Sequence, residues 1–242
     1  MKKLMIFALA AVMMLSACGK KESTPTGPTV PTDAPRYKTH TITLPAKMSS
    51  SSDSRAQTVV FYMGMANSLS ASLSGYFLPP SLNKTLELQG DGPWQYSWTD
   101  GEVTVNVHIK AVGERYVWEV YYTGKKNDFT VNNWLGVRAE QSKNERNGNF
   151  TSFLPPGNAV AATFIWALDA ANALTFEVVA AQFMAGSRFV GTINADQSGV
   201  LEVYQLSGSV YGLAQKYQWN QEGAGQWWEY DNGTVTANGS WE

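Results

Sequence analysis

The spacing of hydrophobic side chains changes once along the chain, near Pro80. Before that point apolar residues recur at steps of three and four, which places them on one face of a helix. Those residues are Val59, Tyr62, Ala66, Leu69, Leu73 and Tyr76. Ser54 and Gln57 fit a capping box, and Gly75 followed by Pro79-Pro80 ends the pattern. We therefore predict an amphipathic helix over residues 54–77, preceded by a short strand at 37–44.

After Pro80 the period becomes two. Val103, Val105 and Val107 alternate with polar residues, and Asn-Gly or Asp-Gly pairs separate several such runs. These dipeptides supply the positive φ angles of tight hairpins. The pattern predicts a mainly β fold, an antiparallel meander of about ten to thirteen strands forming a strongly curved sheet or an open or closed barrel. The lack of further strand-helix alternation argues against a parallel α/β fold.

The run AVAATFIWAL, residues 159–168, is apolar at both odd and even positions. A strand of this kind is expected to be covered on both faces. The predicted helix at 54–77 is long enough to cover one of them. We therefore expect a second layer over the other face.

The pattern of the amino-terminal residues predicts a targeting signal. Residues 1–3 carry two lysines, and residues 4–15 are uncharged but shorter than the roughly 20 residues that cross a bilayer. Leu15-Ser16-Ala17-Cys18 resembles the lipobox of bacterial lipoproteins. This resemblance implies cleavage before Cys18 and acylation of its thiol, so that the protein is held in the cell envelope by a lipid anchor. Gly19 in place of Asp implies delivery to the outer membrane.

Composition divides the rest of the chain into a tether and a domain. Residues 18–36 are rich in Pro and Thr, which predicts a flexible tether, and residues 37–242 read as a single β-rich domain. Cys18 is the only cysteine, so the domain has neither a disulfide nor a thiolate metal site. Removing residues 1–17 leaves 16 basic against 20 acidic side chains, a net charge of −4 that argues against a nucleic-acid partner.

One early helix followed by a long curved meander resembles the open-barrel carriers that ferry lipoproteins across the periplasm and, more loosely, lipocalins. The resemblance is one of architecture and transfers no site residue. It implies a concave, apolar sheet face that receives acyl chains. We therefore expect an anchored, non-enzymatic protein that binds a hydrophobic or lipid-like ligand.

Aromatic residues supply the candidate binding side chains, with nine Trp, eleven Tyr and ten Phe in the chain. The candidates are Trp94, Trp98, Trp118, Trp166, Trp227 and Trp228. Such rings either contact a ligand or pack across strands. Trp227 and Trp228 are adjacent, so their rings must point to opposite faces. Exposed rings would favour an alternative function, a surface glycan-binding or adhesion module. A structural envelope lipoprotein without a small ligand is a third possibility.

Residues for catalysis are sparse. His40 and His108 lie far apart, each is expected at an exposed strand position, and the chain has no G-x-S-x-G, H-E-x-x-H or phosphate-loop motif. Glu119, Glu177 and Glu202 lie within strand patterns, where charged side chains ordinarily face solvent. We expect no enzymatic activity, cofactor or metal, and the pattern leaves the oligomeric state open.

Overall fold

The computed structural model describes residues 34–77, 94–126, 129–181 and 186–242. The predicted signal peptide, Cys18 and nearly all of the tether lie outside these residues. The helices are α1 (Ala46–Ser50) and α2 (Ser54–Phe77), and neither is long and apolar enough to cross a membrane. The strands are β1 (Trp94–Asp100), β2 (Val103–Val112), β3 (Arg115–Lys126), β4 (Phe129–Ser142), β5 (Asn147–Leu154), β6 (Ala159–Leu168), β7 (Leu174–Ala180), β8 (Ser187–Ile193), β9 (Gly199–Ser207), β10 (Val210–Trp219), β11 (Gly225–Asp231) and β12 (Thr234–Trp241).

The strands form one sheet in which each pairs antiparallel with the next along the chain. In the described ranges β1 and β12 are the two edges of the sheet, so the meander is open rather than closed into a barrel. The predicted mainly β meander is confirmed, and the long helix has the predicted bounds of 54 and 77. Pro79 and Pro80, the proposed stop signal, lie outside the described residues.

Two local predictions, the strand at 37–44 and the capping box of Ser54 and Gln57, are wrong. Residues 37–44 are extended but join no ladder, and the short helix α1 follows them. The helix cap is Asp53 instead of Ser54: the Asp53 carboxylate accepts hydrogen bonds from the backbone N–H groups of Arg55 (2.7 Å) and Ala56 (3.3 Å). Ser54 is already the first helical residue, so its side chain does not occupy the capping position. The side chain of Gln57 donates to the carbonyl of Ser51 instead of closing a capping box.

We call the sheet face that carries α2 the concave face and the opposite one the convex face. Val59, Met63 and Ala66 of α2 are at most 1% exposed. The helix contacts the sheet through ring pairs that join Tyr62 to Phe189 (centroids 5.1 Å apart) and Phe77 to Trp118 (6.1 Å). The domain core therefore lies between α2 and the concave face.

Glycines oppose aromatic residues on the concave face. The cross-strand pairs are Gly148 with Trp166, Gly191 with Phe176, Gly199 with Trp219, Gly225 with Trp241, and Gly239 with Trp227. A Cβ atom on Gly148 would lie 2.9 Å from the indole of Trp166, closer than side chains approach. Each ring therefore lies over the neighbouring strand in space that a side chain would otherwise fill.

The convex face is polar and carries ion pairs. Glu177 contacts Arg188 at 2.7 Å and Glu202 contacts Lys216 at 3.3 Å, and Glu119 lies on the same face. Ile165, also on this face, is 44% exposed. The expectation that β6 is covered on both sides is therefore wrong for the described chain, because the cross-strand partners of Ile165 are the polar residues Asn149 and Glu177, which favour contact with water.

Candidate functional site

A segment that we call the strap (residues 35–42) crosses the concave face beside α2. In the described chain the strap pairs with no neighbouring strand. Two side-chain amides form hydrogen bonds with its backbone instead. Gln141 of β4, which is 2% exposed, accepts from the N–H of Lys38 (3.0 Å) and donates to its carbonyl (3.1 Å). Asn67 of α2 likewise accepts from the N–H of Ile42 (2.7 Å) and donates to its carbonyl (2.9 Å). The strap is thus bonded to the sheet on one side and to the helix on the other.

Tyr37 fixes the strap on two of the predicted ligand-binding tryptophans. Its hydroxyl accepts from the indole N–H of Trp166 (3.0 Å) and donates to the carbonyl of Asn149 (3.3 Å). Trp118 packs edge-on against the Tyr37 ring and donates to the carbonyl of Pro35 (3.2 Å). Burial raises the pKa of Tyr37 to about 12, so the phenol stays neutral. Trp118 and Trp166 are at most 2% exposed and hold the strap.

His40 is not the exposed strand residue that we predicted. It lies on the strap, half-buried, with its ring centroid 4.2 Å from that of Trp166. Its buried Nε2 has no hydrogen-bond partner among the described residues. Burial lowers the pKa of His40, nearby Lys38 lowers it further, and Glu145 opposes both. These surroundings favour the neutral form of the ring. His108 lies on β2, with its ring 5.1 Å from that of Tyr121.

Arg55 ties the start of α2 to the far end of the sheet. Its guanidinium lies 2.5 Å from the carboxylate of Glu229 on β11 and 4.0 Å above the ring of Trp227. About a third of each charged side chain is exposed. Ion pairs at such exposure contribute about 0–1 kcal/mol, so this latch is weak.

The six predicted tryptophans do not form one site. Trp94 is buried at the start of β1, and in the described chain its indole N–H has no partner. Trp98 is half-buried and stacks on Tyr96 with ring centroids 6.2 Å apart. Trp227 faces Arg55, whereas Trp228 pairs with Lys216 on the convex side, which confirms that the two neighbours point to opposite faces. The concave face therefore holds five candidates, spread over several strands: Trp94, Trp98, Trp118, Trp166 and Trp227.

Helix α2 presents apolar surface beyond its buried face. Half-buried side chains occupy the flank opposite Asn67; they are Tyr62, Met65, Leu69 and Tyr76. Burial raises the pKa of Tyr76 to about 12. The outer stripe is exposed and uncharged, and consists of Gln57, Phe61, Gly64, Ser68 and Ala71. Arg55 is the only charged residue in the helix.

Two surface clefts escaped the sequence reasoning. One, with a volume of about 370 Å³, lies between β4 and the β5–β6 turn and is lined by Thr130, Asn132, Asn133, Trp134 and Asn158. The other, of about 480 Å³, is lined by Asp196, Gln218, Trp219, Asn220 and Glu222. The segment TVNNW at 130–134 was a signal for the first cleft, because it combines amides with an aromatic ring.

Comparisons with known proteins give no relative: no protein-family model matches the chain, and no curated protein matches it. Within residues 34–77, 94–126, 129–181 and 186–242, no group of three or more His, Cys, Asp or Glu side chains is placed to hold a metal ion. The site must therefore be argued from its own geometry.

Proposed function

We propose that the protein is a lipid-anchored lipoprotein of the cell envelope that binds a hydrophobic or lipid-like guest between α2 and the concave face. The role is one of binding, without a catalytic step or a cofactor. The membrane is its first partner, through acylated Cys18. The alternative of a glycan surface built on the six candidate tryptophans has less support, because Trp94, Trp118 and Trp166 are buried.

The observation that carries this proposal is how α2 is held. Of its polar contacts, those of Asn67 and Ser70 go to the strap, at Ile42 and His40 respectively. The side-chain latch from Arg55 to Glu229 and a hydrogen bond from Tyr96 to the carbonyl of Phe77 join its two ends to the sheet. Between those ends, apolar side chains dominate the contact with the sheet.

Apolar contacts are not directional, so an acyl chain can take over part of the contact that the helix makes with the sheet. The half-buried flank of α2 offers the first surface for the guest, and its uncharged outer stripe has no strong preference for water. Asn67 and Ser70 bond α2 to the strap at Ile42 and His40, so α2 pivots about this attachment when the guest enters. In this proposal α2 is the adjustable layer and the sheet is the fixed one.

Titration of the full-length protein with oleate tests the proposal, with the protein in phosphatidylcholine nanodiscs and empty nanodiscs as the reference. We expect the tryptophan emission to shift to the blue as the acyl chain covers half-buried rings. Arg55→Met should lower the oleate concentration at half-saturation by up to about fivefold, since it opens a contact of about 0–1 kcal/mol. Arg188→Met is the matched control, because it breaks an equally exposed ion pair on the convex face.

An emission spectrum that oleate leaves unchanged would contradict the guest-binding proposal and favour a structural envelope role. Equal midpoints for Arg55→Met and Arg188→Met would contradict the displacement of α2. Mass spectrometry of the native protein tests the anchor separately. A free thiol at Cys18 would contradict the lipoprotein proposal and would leave the binding proposal unaffected.

A further inference from the structure

The sheet has an internal gap beside β4. This strand pairs with β3 over most of its length, but it pairs with β5 only between Val137 and Gln141. From Thr130 to Leu135, no described strand joins β4 on its β5 side. The cleft of about 370 Å³ lies in this gap, bounded on the other side by Pro156 and Asn158 of the β5–β6 turn.

The free edge of β4 is irregular, which argues against an added peptide strand. Asn132 and Asn133 together oppose Thr123, and Asn133 has a φ of 47°, so the strand bulges at this point. The bulge is fixed by a hydrogen bond from the N–H of Asn133 to the Thr123 hydroxyl (2.9 Å). Bulges twist an edge away from regular pairing, and a polypeptide that extends the sheet would meet this defect midway.

Trp134 is held in place at the wall of the cleft. Its indole N–H donates across the gap to the carbonyl of Gly157 (2.7 Å), and its ring lies 5.6 Å from that of Tyr122. A Cβ atom at Gly136 would lie 2.9 Å from the Trp134 ring, so the absence of a side chain there makes room for it. The ring is therefore oriented before any ligand arrives, which lowers the entropic cost of binding.

Val131, Leu135 and Pro156 add apolar surface to the cleft, and the remaining lining groups are neutral and polar. Asn132, Asn133 and Asn158 are exposed amides, each with two donors and an acceptor, and Thr130 adds a hydroxyl. No ionisable side chain lines the cleft. A fixed aromatic face beside several amides complements a sugar ring, which has an apolar C–H face and hydroxyls that both donate and accept.

The second cleft differs from the first in its charge and in the exposure of its tryptophan. It also contains a tryptophan and an asparagine, but Asp196 and Glu222 give it negative charge. Its Trp219 is only 3% exposed and donates its N–H to the carbonyl of Gln197. That cleft therefore offers little aromatic face to a ligand, although it is larger.

We propose that the cleft between β4 and the β5–β6 turn binds a neutral oligosaccharide, with Trp134 as the stacking surface and Asn132 and Asn158 as hydrogen-bonding groups. This site lies at the margin of the concave face, because Trp134 pairs there with Tyr122, and it does not depend on the guest proposed between α2 and the sheet. Its volume falls within the range of about 300–1,000 Å³ typical of small-molecule sites. The ligand is uncharged because the cleft has no charge to pair with one.

Calorimetric titration of the full-length protein with maltohexaose, cellohexaose and N-acetylchitohexaose tests this site, with trigalacturonate as the charged comparison. At least one neutral probe should bind, and trigalacturonate should bind more weakly. Trp134→Leu should weaken binding by about tenfold, and Asn158→Ala by about fivefold. Asn220→Ala in the second cleft is the matched control and should leave the affinity unchanged. Cooperative thermal unfolding, which these variants should preserve, establishes that the fold is intact.

Failure of all three neutral probes to bind would overturn the proposal. So would an affinity that Trp134→Leu and Asn158→Ala reduce no more than Asn220→Ala does. An uncharged extended peptide that competes for the cleft while the sugars do not bind would identify the gap as a peptide site and would also overturn it.

Discussion

The concave and convex faces of this sheet are built from the same strands but by different physical means. On the concave face, aromatic rings lie over glycines and are covered by α2 and the strap. On the convex face, threonines and ion pairs remain in contact with water. The comparison teaches that the buried concave layer contributes most of the stability of the domain, whereas the water-exposed convex side contributes little. Variants at neighbouring positions separate the two contributions.

The largest contrast should come from two adjacent residues of β6. Phe164 is 2% exposed on the concave face, and Ile165 is 44% exposed on the convex one. Phe164→Ala should lower the free energy of unfolding by about 3–5 kcal/mol, because it leaves a cavity in the core. Ile165→Ala should cost less than about 1 kcal/mol. Chemical denaturation measures both, and equal losses would contradict the contrast between the faces.

Glycine substitutions test the ring-over-glycine arrangement. An alanine at Gly191 would clash with the ring of Phe176, and overpacking of this kind costs about 1–3 kcal/mol. Gly212 lies on β10 with nothing within 4 Å of a Cβ placed there, so Gly212→Ala should be neutral or slightly stabilising. Thermal unfolding compares the two variants. A neutral Gly191→Ala would show that the ring has room to move.

The strap depends on one buried amide. Gln141→Leu removes both hydrogen bonds to Lys38 and leaves the N–H and carbonyl of Lys38 unpaired. This loss should lower the free energy of unfolding by about 1–3 kcal/mol. Hydrogen exchange should rise in residues 35–42 more than in β6. The control is Glu140→Gln, because Glu140 is adjacent to Gln141 but lies on the convex face. This variant should change the hydrogen exchange of the strap very little. Unchanged exchange in Gln141→Leu would refute the role of the amide.

Protonation of His40 gives a smaller, pH-dependent effect. Because its pKa is lowered in the folded protein, the unfolded chain binds the proton more readily. This contribution to stability is therefore fully present above the ordinary value of about 6.5 and declines as the pH falls, until it levels off below the folded-state pKa. The stability difference between pH 7.5 and 5.5 should shrink in His40→Gln. If this variant keeps the wild-type difference, His40 is not the group that titrates.

Local periodicity made α2 and the alternating strands predictable, because their signals lie within a few residues. The strap was not predictable, since its partner Gln141 is 103 residues from Lys38 and a side-chain amide leaves no periodic trace. Alternation placed Trp94 and Trp98 on one face, but only the packed structure shows which face is covered. Trp134 was missed because the bulge at Asn133 breaks the alternation that marks a strand.

The central claim is that α2 is the adjustable layer over a fixed concave face. Hydrogen exchange of the full-length protein in nanodiscs, with and without saturating oleate, tests it most directly. We predict faster exchange along residues 54–77 in the presence of oleate, while β6 to β8 keep their protection. Oleate that binds and leaves the exchange of α2 unchanged, or that loosens β6 to β8 instead, would contradict the account.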